Sequence, residues 1–225
     1  MITSEQSKDF RALLHAGWPD LSTEVQDKVC RYYEMVLAEN EVQNLTRMST
    51  PRDFYEGHVL DVQELLKSKM MDFPAVDLGA GAGVPGLLAA IINPEDRWTL
   101  VDSEKKKAEF LSRAEKELEL SNVVGRGIRI EEYLKTKSCE SVVIRAVGPI
   151  DRIFAWIEKC STWNNLILLK GPKWEEEWAT FQKTSAGRRL KIAQTHKYEA
   201  GSEKKQRTII KLARVPRRTE SEYSK

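Results

Sequence analysis

The sequence predicts an α/β fold, a parallel sheet covered by helices on both sides and preceded by a helical N-terminal segment. Three observations predict it. From residue 75 onward short apolar runs alternate with helical segments, one of those runs breaks into a glycine-rich turn, and residues 1–70 show helical spacing alone. A chain of 225 residues has room for one α/β domain and a small appendage. The expected division is a helical extension over 1–70, the α/β domain over 71–215 and a basic, disordered tail over 216–225.

Thr3 and Gln6 form a capping box ahead of Phe10, Leu13 and Leu14, and Gly17 ends that helix. Ser22 caps a second helix whose Val25, Val29, Tyr32, Val36 and Leu37 recur at helical spacing. A third begins at Thr50-Pro51, with proline at the first helical position, and sets Phe54, His58, Asp61, Val62 and Leu65 broadly on one side. The polar run Asn40 to Arg47 connects the last two. Strands are expected at Ala75 to Leu78, Trp98 to Val101, Val123-Val124, Val142 to Ile144 and Leu166 to Leu169, and the clearest helix between them covers Glu104 to Leu120. Beyond Lys170 come a helix near Trp174 to Phe181 and two strands, Leu190 to Tyr198 and Arg207 to Ala213. Joined at Gly201-Ser202, these two pair antiparallel at the sheet edge.

The charge balance is uneven. The whole chain carries 36 basic and 34 acidic side chains, but residues 181–225 hold 13 and 4 of them, net +9 against −7 for the rest. A basic end of this kind suits either a polyanion or a solvated strand pair. The apolar, Gly and Pro stretch that contains Ala80 to Ile92 is short of the ~20 residues of a membrane span. Met1 to Gln6 lacks the basic and then apolar order of a secretory signal, so a cytoplasmic protein is expected. Cys30, Cys139 and Cys160 form no C-x-x-C and stand apart from His15, His58 and His196, so no metal site is expected.

The most informative stretch is Val76-Asp77-Leu78-Gly79-Ala80-Gly81-Ala82-Gly83-Val84-Pro85-Gly86, a strand that breaks into glycines and then a helix. Such a turn lets a ligand approach bare backbone at a helix N-terminus. Counted from Gly81 the spacing is G-x-G-x-x-G, with Asp102 21 residues on, as for a nicotinamide dinucleotide. Counted from Gly79 it is G-x-G-x-G with Asp77 ahead, the pattern of S-adenosylmethionine enzymes. Asp77 favours the second count, because a carboxylate inside an apolar strand is costly without partners and would repel a pyrophosphate while suiting a cationic methionine end. Asp102, closing the second strand, can accept both ribose hydroxyls of an adenosine or cap the helix that follows.

In order along the chain, these segments resemble the 16S ribosomal RNA guanine-N7 methyltransferases, the glucose-inhibited division protein B family. The resemblance runs from about Asn40 to Ala213 and rests on Asn44-Leu45-Thr46, His58 with Asp61, the loop from Asp77 to Gly86, Leu100-Val101-Asp102-Ser103, Arg129-Ile130-Glu131, Arg145-Ala146, Leu169-Lys170-Gly171 and Arg207-Thr208-Ile209-Ile210. It implies a Rossmann-like class I S-adenosylmethionine-dependent methyltransferase with a helical N-terminal extension. The implied cofactor contacts are Asp77, Gly79, Gly81, Gly83, Val84, Asp102, Ile130, Glu131 and Arg145. Arg145 is the implied catalytic residue, set against the cofactor carboxylate or guanine O6; its bland alternative is a surface pair with Asp151. The implied partner is 16S ribosomal RNA or the small ribosomal subunit, met by a monomer through Asn44, Arg47, His58, Arg126, Lys170, Lys173 and Arg207. Asn44 could equally brace the connector, and His58 with Asp61 could be a helix-surface pair. Trp156, Trp163, Trp174 and Trp178 are read as core before base-stacking. Guanine N7 carries its own lone pair, so a chain without an activated Cys or His fits this chemistry. Two other readings stand beside it, a non-catalytic RNA-binding or assembly protein on the same fold and a nicotinamide-dependent oxidoreductase.

Overall fold

A computed structural model describes residues 3–215; the tail expected at 216–225 lies outside them. Helix α1 (Ser4–Gly17) opens with the expected box, Thr3 Oγ1 accepting the Gln6 amide at 3.1 Å and Gln6 Oε1 the Thr3 amide at 2.9 Å. Ser22 Oγ accepts the Val25 amide at the head of α2 (Thr23–Asn40), and Thr50 Oγ1 accepts that of Asp53 at the head of α3 (Pro51–Phe54). The third helix differs from the expectation in one respect. A π-helical turn, Tyr55–Val59, separates α3 from α4 (Leu60–Ser68). Phe54, His58, Asp61, Val62 and Leu65 are all still buried, because one wide turn changes the phase of a helix without turning its face to water.

The α/β part runs β1 (Ala75–Leu78), α5 (Gly86–Ile92), β2 (Trp98–Val101), α6 (Lys105–Glu117), β3 (Val123–Arg126), α7 (Ile130–Thr136), β4 (Cys139–Arg145), α8 (Ile150–Ile157), β5 (Trp163–Lys170), α9 (Trp174–Gln182), β6 (Leu190–Ala200) and β7 (Lys205–Arg214). These strands make one sheet in the order β3-β2-β1-β4-β5-β7-β6. Strands β1 to β5 are parallel, while β7 lies antiparallel between β5 and β6, which places the expected hairpin at the edge.

Alternation along the strands sorts their side chains between two cores. Val76, Val142, Leu166, Leu168 and Ile210 pack in the cluster that holds Ile130, Ile153, Phe154 and Phe181 of α7, α8 and α9. Ala75, Val143, Ile167 and Ile209 pack in the other, with Leu87 and Leu111 of α5 and α6. Phe10, Leu14, Tyr32 and Val36 belong to this second cluster, so the helical extension has no core of its own. The strand order reverses between β1 and β4, and in open α/β sheets ligands bind beyond the strand ends at that reversal.

Candidate active site

The loop after β1 is built on three left-handed glycines, Gly79 (φ 70°), Gly81 (φ 52°) and Gly83 (φ 93°). At Gly79 a Cβ would also stand 2.7 Å from Val147 Cγ2, so this turn is closed to other residues twice over. Two side chains fasten the loop. Asp102 Oδ2 accepts the Gly81 amide at 3.0 Å, and the Tyr32 hydroxyl of α2 donates to the Ala82 carbonyl at 2.7 Å. Asp102 Oδ1 takes the Glu104 amide at 2.9 Å, a local turn just ahead of α6 rather than a cap on its first helical amides. Below the loop, buried Asp77 accepts the Gly86 amide on Oδ2 at 2.8 Å, while Oδ1 has no partner among the described residues. Burial pushes its carboxyl up to about 7, and the Gly86 amide opposes that rise.

Two cavities open at the C-terminal ends of the parallel strands, one on each side of the turn after β4. The first, of about 130 Å³, is lined by Gly79, Asp102, Ile130 and Glu131, with Val101, Ile128, Val147 and Trp156 as apolar walls. The second, of about 650 Å³, is lined by Met48, Asp61, Arg145, Lys170, Tyr198 and Arg207, among others. Val147 faces the first cavity, and Ala146 and Gly148 face the second. Ala146 is left-handed at φ 58°, an uncommon state for a residue with a Cβ.

Asp61 organises the second cavity. Its Oδ2 accepts Arg145 Nη1 at 2.9 Å, and its Oδ1 accepts the Tyr198 hydroxyl at 2.6 Å and also Arg207 Nη1. Arg145 Nη1 further donates to the Gly57 carbonyl at 2.6 Å, in the π-helical turn, and Nη2 lies 2.6 Å from His58 Nδ1. His58 Nδ1 also lies 3.1 Å from the Gly57 carbonyl, but a guanidinium has only donors, so at the shorter Arg145 contact Nδ1 accepts and the imidazole proton sits on Nε2, which donates to Thr46 Oγ1 at 2.9 Å. Burial, then Arg145, holds His58 well below its usual pKa, so the ring is neutral. Two arginines and one carboxylate leave the cluster one positive charge, and all its polar hydrogens point as donors.

The sequence-predicted residues divide accordingly. Gly79, Asp102, Ile130 and Glu131 meet in the first cavity, with Asp77 and Gly81 fastened beneath and beside them. Gly83 and Val84 turn into the core: a Cβ on Gly83 would lie 2.8 Å from Leu87, and Val84 is 6% exposed. Neither lines the first or the second cavity; both belong to the turn that leads into α5. Arg145 lines the second cavity rather than the first, and its partner is Asp61, not Asp151. His58 is 3% exposed behind Arg145, which corrects both the direct RNA contact and the surface pair with Asp61. Asn44 and Arg47 are exposed on the connector but line neither cavity, whereas Met48 does. Arg126 is exposed at the end of β3, on the side of Asp102. Lys173 lies exposed near Pro149 and Glu176, away from both cavities. Lys170 reaches the second cavity, but its amine is held by the Gly148 carbonyl at 2.7 Å and by Glu177 at 2.9 Å. Trp163 and Trp174 are core, Trp178 is half-buried, and Trp156 walls the first cavity.

Sequence reasoning passed over Asp61 as the hub, Tyr198 as its partner, Thr46 as the partner of His58, and Tyr32 as the partner of the loop. Among the described residues no group of three or more His, Cys, Asp or Glu is placed to hold a metal ion.

The family described as rRNA small subunit methyltransferase G matches residues 25–210. The chain belongs to this family. Its relatives include the Ribosomal RNA small subunit methyltransferase G of Solibacter usitatus, 34% identical over 187 residues that cover 81% of this chain and 87% of that protein. That of Mesoplasma florum is 34% identical over 180 residues, 78% of this chain and 75% of that one. Among solved structures, an O-methyltransferase from Bacillus cereus in complex with SAH superposes with a TM-score of 0.54 at 15% identity, covering 82% of this chain and 91% of that chain. A variant of MtNAS in complex with S-adenosylmethionine gives 0.56 at 16%, covering 94% and 88%. The fold is thus that of the class I methyltransferases, and S-adenosylmethionine is the cofactor that goes with the family.

The residues present fit that cofactor on three counts. The first cavity pairs apolar walls with the Asp102 carboxylate, the loop offers bare backbone, and Asp77 keeps a buried oxygen without a donor among the described residues. That oxygen sits where a pyrophosphate would be repelled, which disfavours the nicotinamide reading.

Proposed function

We propose that this family member methylates guanine N7 of small-subunit ribosomal RNA, with the adenosine and methionine ends of S-adenosylmethionine in the first cavity and the guanine in the second. The observation that carries the reading is the donor-only arginine pair on Asp61. Guanine presents two acceptors, O6 and N7, on its major-groove edge, and arginine is the side chain that matches such an edge. The ionisable groups of the second cavity supply no free base. Asp61 is taken by three donors, and the His58 lone pair is taken by Arg145. A nucleophile that must lose a proton is poorly served there, and one that brings its own lone pair needs none.

The cofactor supplies an electrophilic methyl group. The protein's part is alignment, for which effective molarities of about 10⁵ M or more are available. Arg145 and Arg207 hold O6, the Asp61 charge offsets one guanidinium as the purine becomes cationic, and the Ala146-Val147-Gly148 turn sets the distance between the two cavities. The major groove of A-form RNA is too deep and narrow to expose N7, so the target guanine is unpaired or splayed from a loop. The chain acts as a monomer in the cytoplasm; among the described residues no helix is long and apolar enough to cross a membrane.

The direct test incubates the protein with radiolabelled cofactor and small subunits from its own deletion strain, followed by nucleoside analysis. Label in 7-methylguanosine is expected. Label in another base, in protein, or nowhere despite cofactor binding rejects the reading.

A second expectation concerns pH. In the free protein the Asp77 carboxyl is raised to about 7, and an ammonium beside Oδ1 would favour its ionised form. Binding then expels a proton, so S-adenosylhomocysteine affinity should rise with pH and fall by up to about tenfold per unit below 7. The stability sign is opposite. Raised above the ordinary value of 3.8, Asp77 contributes stability that is complete below that value and lost as the pH passes about 7. Calorimetry between about pH 5.5 and 8.5 reads the affinity, and the dependence should flatten in Asp77→Asn. An equally steep profile in that variant would assign the proton elsewhere.

A further inference from the structure

We propose that Tyr32, in the helical extension, is a positioning residue for the cofactor loop, acting through the Ala82 carbonyl. The inference rests on the reading of that loop as the seat of the methionine end.

Ala82 lies between two left-handed glycines, Gly81 and Gly83. Without a side chain Gly83 accepts φ of either sign, so local sterics do little to stop the Ala82–Gly83 peptide plane from flipping. Two hydrogen bonds hold the plane from opposite ends. The Tyr32 hydroxyl donates to the Ala82 carbonyl at 2.7 Å, and the Gly83 amide donates to the Ala80 carbonyl at 2.7 Å. A flip breaks both and turns an oxygen toward the side where an amide stood, in a loop whose use to a carboxylate-bearing ligand is its amides. Tyr32 is 0% exposed and its ring meets the edge of Phe54 at 6.0 Å, so the hydroxyl has little freedom to leave its acceptor.

The same helix provides a matched control. Tyr33 is equally buried and stacks on Phe10 at 4.2 Å, but its hydroxyl has no partner among the described residues. Each tyrosine can lose its oxygen without changing the shape of its ring, and only the first loss touches the loop.

The test compares Tyr32→Phe and Tyr33→Phe with wild type in the full chain, by calorimetry with S-adenosylhomocysteine and by steady-state kinetics on small subunits from a deletion strain. One neutral hydrogen bond that holds a binding conformation corresponds to about a fivefold to tenfold change in affinity. Tyr32→Phe is expected to weaken S-adenosylhomocysteine and raise the cofactor KM by that factor, with kcat and the RNA KM within about twofold. Tyr33→Phe should match wild type throughout. Hydrogen exchange on the free proteins adds a readout independent of activity, and Tyr32→Phe should speed exchange in the loop peptide while leaving α1 and α2 protected. Affinity within twofold of wild type, a shift in the RNA KM instead, or uniformly faster exchange across α1, α2 and the loop would each overturn the proposal. Wild-type protein that fails to bind S-adenosylhomocysteine would remove the cofactor reading itself, which separates that failure from a failure of Tyr32 alone.

Discussion

Arg145→Ala is expected to leave a folded protein that binds S-adenosylhomocysteine within about threefold of wild type and turns over at least about a hundredfold more slowly. The size follows from the role proposed for Arg145 against guanine O6, since removing a preorganised donor of that kind typically costs about 10²–10³ in rate. The selectivity follows from placement, because Arg145 lines the second cavity and not the one that holds Gly79 and Asp102. Of the groups it leaves, Asp61 lines the cavity of about 650 Å³, and the Gly57 carbonyl and His58 Nδ1 border the space that the guanidinium vacates, which water from that cavity can fill. Arg145→Lys should recover only part of the rate, since an ammonium lacks the planar fork that reaches three acceptors. Single-turnover rates with saturating cofactor and RNA decide the matter, and a wild-type rate for Arg145→Ala would put the residue outside the chemistry.

The largest stability effect is expected at Asp61. Asp61→Ala removes the one carboxylate that holds Arg145, Arg207 and Tyr198 together, leaving two guanidinium groups facing each other with side chains only 16% and 20% exposed. Stripping one partner from a buried ion pair costs about 3–5 kcal/mol, and the open cavity favours the lower end. Asp61→Asn keeps the shape and some of the hydrogen bonds and should lose less. Denaturant unfolding measures both. A loss below about 1 kcal/mol in Asp61→Ala would mean that water already carries the charges.

The rule that found Asp77 in the sequence would have found Asp61. A carboxylate within an apolar strand points to function, and one on an apolar helix face, in step with Phe54, Val62 and Leu65, does so equally, although the i, i+3 spacing of His58 and Asp61 reads as readily as a surface pair. The strands, the hairpin and the glycine loop were legible because their signals are local: alternation, caps and φ requirements. The partners of Asp61 were not, since Tyr198 and Arg207 arrive from β6 and β7, 137 and 146 residues away. The fixing of Lys170 by Glu177 was equally out of reach, since it depends on how α9 docks beside β5. The π-helical turn left no trace because it displaces side chains along a face that remains buried.

The same reach across the chain has a bearing on the order in which the protein acquires its abilities during synthesis. Every residue lining the first cavity lies between Leu78 and Trp156, and the loop's outside fastener, Tyr32, comes earlier still. The second cavity waits for Tyr198 and Arg207. During synthesis the chain emerges from its N-terminal end. A nascent chain that stops short of β6 therefore carries every residue that lines the first cavity, while Asp61 lacks two of its three donors. The residues of the proposed cofactor cavity thus emerge before those of the proposed guanine cavity, and the C-terminal hairpin is the last part of the chain to complete the pair.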